Sequence, residues 1–152
     1  MTEAPRPAEQ RKADTLAKLG QTGVDVWVAT ASTGAEVHLV PLSLGWDGDR
    51  VILAIDGASA TARNLEASGR ARLGLGPERD VVMIDAVVVS LVRVDAAPAA
   101  IVDAYLEQAD WDPRQAGEGY VFAILAPKRI QAWREANEIA GRTLMREGHW
   151  LV

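Results

Sequence analysis

Two short turns constrain this chain more than anything else in it. Thr33-Gly34 closes a β-branched run over 24–32, and Asp47-Gly48 separates the run 36–46 from the run 50–56. Turn residues between β-rich runs join them as hairpins, so three successive strands are antiparallel neighbours. Pro41 has no N–H for a ladder and places its strand at an edge or at a bulge. Strands are also predicted over 70–76, 80–94 and 120–134, which makes six. The first half of 80–94 is almost wholly apolar, as in a strand buried on both faces, and Pro127 predicts a bend in the last strand. A helix is predicted over 59–68, with Ser59 as N-cap and Gly69 as its stop. Ile101, Val102, Tyr105 and Leu106 mark a second over 97–108, and 8–19, ended by Gly20, fits a third. Strands in hairpin order with short helices between them predict a mainly β (α+β) fold, a closed antiparallel barrel. Alternating βα units are absent, which excludes a parallel doubly wound sheet.

At 152 residues the chain is one domain by length, read as an N-terminal arm and helix (1–20) leading into the barrel (21–152). The first ten residues are polar, carry Pro5 and Pro7, and are expected to be loosely ordered. A net charge of -5 argues against a nucleic-acid partner held by bulk electrostatics. No apolar run reaches the roughly 18 residues that cross a bilayer, and MTEAPRPAEQRKAD lacks a signal-peptide core. No membrane partner and a cytoplasmic location are therefore expected. The chain has no cysteine, no metal-ligand cluster and no nucleophile–base pair. That inventory fits redox chemistry carried by a cofactor better than hydrolysis, and equally fits a protein without chemistry.

The stretch 51–76 holds the best candidate site. It reads strand, capped helix, strand. N–H groups at the helix start, with the Ser59 and Thr61 hydroxyls and the Arg63 guanidinium, would seat an anion such as a phosphate. The bland alternative is that Ser59 only caps the helix, Arg63 faces solvent and Asn64 bonds to backbone. Arg70 and Arg72 alternate with apolar residues, so one face of their strand is polar; this reads first as a solvated face, with a ligand contact by Arg72 as the alternative. Asp85 interrupts an apolar strand and either pairs with an arginine or faces a groove. His38 and His149 read as surface or satisfied histidines. Any of the five tryptophans suits core or interface packing more than cofactor stacking. Trp133-Arg134 with Arg142 and Arg146 either closes over a groove or forms a solvated terminus.

The element order, together with SATARNLEASGRARLGL (59–75) and its S-x-T-x-R-N-L helix and R-x-R-L strand, resembles the split β-barrel flavoprotein superfamily. That superfamily includes the pyridoxamine 5′-phosphate oxidases and the deazaflavin (coenzyme F420) reductases, and the resemblance covers roughly 21–134. It implies a split antiparallel barrel and a homodimer, with FMN or F420 in a groove at the subunit interface. The phosphate would lie at Ser59, Ala60, Thr61, Arg63 and Asn64. The ring would lie against Val40, Pro41, Leu42 and Ser43 on one strand and Ile55 and Asp56 on another. The FMN-binding oxidases carry an Arg-Lys pair where this chain has Ala60-Thr61, and an arginine where it has Leu39. F420 is therefore favoured narrowly over FMN. The implied activity is hydride transfer to a small unsaturated substrate. The alternatives are a non-catalytic binder of a flavin, a deazaflavin or a tetrapyrrole (haem or biliverdin) and a purely structural member of the fold. Pyridoxamine-phosphate oxidation itself is not expected, because EIAGRTLMREGHWLV offers no counterpart to that substrate's arginine and histidine grip.

Overall fold

A computed structural model describes residues 3–152 of the chain. Helix α1 (Ala8–Leu19) is followed by β1 (Asp25–Ala31), β2 (Val37–Ser43), β3 (Gly45–Trp46) and β4 (Val51–Asp56). Then come α2 (Ala60–Ser68), β5 (Arg70–Leu75), β6 (Val81–Arg93), α3 (Ala99–Gln108), β7 (Tyr120–Trp133), β8 (Thr143–Arg146) and β9 (His149–Trp150). All pairings are antiparallel, in the order β2-β1-β5-β6-β7-β4-β3, with β8 on β7 and β9 on β8.

The sheet has nine strands rather than six. The run 36–46 breaks at Leu44, which is buried and donates its N–H to the Val24 carbonyl. Gly45 follows because nothing larger fits: a Cβ there would lie 2.7 Å from Tyr105 Cδ2 and 2.8 Å from the Ile52 carbonyl. The other two strands are the C-terminal hairpin, four and two residues long, too short for alternation to reveal. Pro41 lies on the edge strand β2, paired with Trp27. Near Pro127 the β6–β7 register slips between Asp85 and Ala86, so Lys128 is the extra, bulged residue.

Strand β6 is not buried on both faces. Val82, Ile84 and Ala86 enter the core, while Met83, Asp85 and Val87 stay half-exposed on the outside. The main core lies inside the curled sheet, under α2, with Val28, Leu53, Leu65, Leu73 and Leu125. A second cluster of Ile52, Phe122 and Tyr105 packs α3 against the outer side of β4 and β7. Strand β4 is thus apolar on both faces, and α3 supplies its second cover.

The first ten residues are pinned rather than loose from Glu3 onward. Arg6 makes a 2.8 Å ion pair with Glu138 and another with Asp14, while Asn137 donates to the Glu3 carbonyl at 2.7 Å. Charges at both ends of the chain satisfy one another in a way their sequence separation of 132 conceals.

Candidate functional site

The sheet curls until β2 approaches β4, but the two strands share no ladder pair. Strand β2 bonds only to β1, and β4 bonds to β7 and, over its first two residues, to β3. The two strands therefore approach one another without pairing, which leaves an unzipped seam between β2 and β4. Along it Val40 and Leu42 pack toward the core, Pro41 is exposed, Ser43 is half-buried, Ile55 is buried and Asp56 is exposed. The six expected ring contacts lie on these two strands, and α2 follows β4 directly in the chain.

The start of α2 is built by short polar residues. Asp56 Oδ1 accepts the Ala58 N–H at 2.9 Å, and Ser59 Oγ caps the helix by accepting the Ala62 N–H at 3.1 Å. Gly57 donates to the Gly119 carbonyl, and a Cβ on Gly57 would lie 2.9 Å from that oxygen. The Arg63 N–H bonds the Ser59 carbonyl, which leaves the N–H groups of Ala60 and Thr61 without a partner among the described residues. Arg63 is exposed, with its guanidinium folded back onto the Ala58 carbonyl. Thr61 and Asn64 are turned inward: both are buried, and Asn64 Nδ2 donates to Thr30 Oγ1 at 3.0 Å, tying α2 to β1. Of the five expected phosphate contacts, Ser59 and Ala60 are half-buried and Arg63 exposed, while Thr61, its side chain buried, keeps only its backbone N–H unpartnered among the described residues.

A separate groove of about 620 Å³ lies on the outer face of β1, β5 and β6. It holds the cations Arg70, Arg72 and Lys128, the carboxylate of Asp85, and the apolar side chains of Ala29, Ala31, Val37 and Val87. Asp85 pairs with an arginine on each neighbouring strand: Arg72 at 2.6 Å and Arg129 at 3.7 Å. The Asp85 carboxylate raises the Arg72 pKa further above its ordinary value. Lys128 escaped sequence reasoning, and its only available signal was the neighbouring Pro127.

The remaining candidates take structural positions. His38 is half-buried on β2, on the same side as Val40 and Leu42, and His149 is exposed on β9. Arg142 stacks on Trp133 with 5.1 Å to the ring centre, and Arg134 pairs with Asp80 at 3.2 Å, so the C-terminal cluster is bound to its own surface. Trp150 lies under Lys12, and Trp111 meets Tyr105 edge to face. The buried Tyr105 hydroxyl has no hydrogen-bond partner among the described residues, and burial pushes its pKa up to about 12. Gln108 was also missed. Its side chain bridges Trp46 N–H and the Leu19 and Gln21 carbonyls, locking α3 to the end of α1. No cluster of three potential metal ligands occurs among the described residues.

No protein-family profile matches the sequence, and no curated protein does. Solved structures do share the architecture. An F420 reductase is 15% identical, aligned over 74% of this chain and 92% of its own, with a TM-score of 0.58. A putative pyridoxamine 5′-phosphate oxidase from Listeria innocua is 13% identical over 82% of this chain and 98% of its own, with a TM-score of 0.61. The fold is the pyridoxamine 5′-phosphate oxidase-like split β-barrel. A heme binding protein from Mycobacterium smegmatis has the same split barrel, at 17% identity over 94% of this chain and 59% of its own, with a TM-score of 0.62.

Proposed function

We propose that this split barrel is an oxidoreductase that binds a flat, anionic redox cofactor along the seam between β2 and β4. Coenzyme F420 is favoured over FMN, and the substrate is small and unsaturated. The observation that carries the reading is the continuity of two features: facing strand edges without ladder partners, and a helix start with two unpartnered N–H groups. A heterocycle rimmed with N–H and C=O groups suits the first, and its anionic arm suits the second. When bound, either cofactor supplies the hydride chemistry. The chain's own residues bind and orient: the β2 and β4 backbone fixes the ring edge, Ser59 holds the helix start in shape, and Ala60 and Thr61 N–H groups with Arg63 meet the anion. Thr30 and Asn64 keep α2 in place behind them.

The preference for F420 follows from what is missing. Ala60, Thr61 and Leu39 replace three cations of the FMN-binding pattern, and Arg63 alone remains. Charge-assisted contacts at about 1.5–3 kcal/mol each make that a loss of several orders of magnitude for a ligand gripped through its terminal phosphate. We also propose that the protein works as a homodimer.

A second reading, tetrapyrrole binding without turnover, rests on the half-buried His38, on the same face of β2 as Val40 and Leu42, and on the same thinned phosphate grip. The test of the site is Arg63→Glu, an exposed position where the fold tolerates the change. Loss of F420 binding by at least about tenfold, equivalent to ~1.4 kcal/mol, with an unchanged circular dichroism spectrum is expected. Equal affinity in wild type and variant would refute the seat.

A further inference from the structure

We propose that the outer-face groove on β1, β5 and β6 is a second ligand site, selective for an organic anion: an acidic group carried on an apolar body. It lies on the opposite face of the sheet from the core and stands independently of any cofactor in the seam. Three observations carry it. The first is charge segregation: the chain has a net charge of -5, yet this groove gathers Arg70, Arg72 and Lys128 around a single carboxylate. The second is construction. Lys128 reaches the groove because the β-bulge opposite Asp85 and Ala86 leaves it out of the ladder, and bulges of this kind re-aim side chains. The third is unspent binding capacity. Arg70 and Lys128 make no side-chain hydrogen bond or ion pair among the described residues, and Arg72 uses only its Nε on Asp85. Beside these cations, Ala29, Ala31, Val37 and Val87 form the apolar bed, with Val37 itself 82% exposed.

Asp85 has a definite part in this site. It sits in register between Arg72 and Arg129 and neutralises charge that an incoming acid would otherwise meet. The ligand's acidic group takes Arg70 and Lys128 directly and competes with Asp85 for Arg72. Removing the carboxylate charge at position 85 therefore strengthens binding, the opposite of what loss of a purely structural ion pair would do.

The experiment is a fluorescence titration of the full chain with 1-anilinonaphthalene-8-sulfonate, an apolar probe with one acidic group. The wild type binds it with a blue-shifted emission, and binding weakens as salt rises. Arg70→Ala and Lys128→Ala each weaken binding by about tenfold, and Asp85→Asn tightens it several-fold. Arg114→Ala, an exposed arginine paired with Asp112 elsewhere on the surface, leaves it unchanged. Displacement by 1-naphthyl phosphate or by 1-naphthoate then identifies which acid the groove prefers. Absence of binding, affinity indifferent to the groove charges, or displacement by neither acid would overturn the proposal. Indifference would mean that the probe adheres only to the exposed apolar strip beside the groove.

Discussion

Ala35 is held at φ 62°, in the left-handed region, inside the turn that joins β1 to β2. A side chain there costs about 1–2 kcal/mol, part of which glycine would forfeit through its looser unfolded chain. Ala35→Gly should stabilise the protein by about 0.5 kcal/mol, seen as a melting temperature higher by about 1–2 °C. An unchanged or lower melting temperature would show that the turn is not strained. The same residue marks a limit of sequence reading. Thr33-Gly34 announced the hairpin correctly, but the Ser32–Glu36 pairing that closes it moves the left-handed position one residue beyond the glycine. Thr61 and Asn64 were legible as helix residues, expected near an anion seat. Their burial was not, because it depends on where α2 crosses β1, a tertiary fact that the local pattern does not encode.

The elements at the two ends of the chain are bound by one ion network, and its pH dependence follows from its pKa values. Arg6 holds the Glu138 carboxylate well below the usual range, at about 2, and Arg134 N–H also bonds it. Burial alone would raise Asp80 and Asp14, but Lys18 and Arg134 outweigh it for Asp80, and Arg6 and Gln10 for Asp14, so both end lower than normal. A carboxyl depressed in the folded state contributes its stability fully above its unfolded pKa and loses it as the pH falls through the folded one. The network should therefore hold above about pH 5 and weaken steadily toward pH 2. Urea denaturation should show Glu138→Gln to be less stable at pH 7 by on the order of 2–3 kcal/mol, with a shallower loss between pH 5 and 2. Equal slopes for variant and wild type would remove Glu138 from the account. Long strands and capped helices were readable because their patterns repeat over many residues. Strands β3, β8 and β9 were not, since two to four residues carry no period and their places are set by Gly45 against Tyr105 and by pairing onto β7.

For the whole molecule, the outer sheet face leaves an apolar strip uncovered: Trp27 is 53% exposed and Leu39 61% exposed, with Pro41 between them. Contiguous exposed apolar area on a sheet face marks an interaction surface, and a second copy of the same strip is its simplest cover. Trp27→Glu should convert the protein to a monomer in light scattering while leaving its secondary structure intact. A wild type that is already monomeric at tens of micromolar concentration would contradict this. No helix is long and apolar enough to cross a membrane among the described residues. The overall fold was legible because hairpin turns and the absence of βα units leave few architectures. The identity of the ligand was not, because backbone edges and helix N–H groups carry no side-chain code. The measurement that bears most directly on the central claim is a spectroscopic titration of the apo protein with F420, FMN and hemin in parallel. Micromolar or tighter binding of F420, with FMN weaker by at least about tenfold, is the predicted result. Binding of hemin alone, or of none of the three, would contradict it.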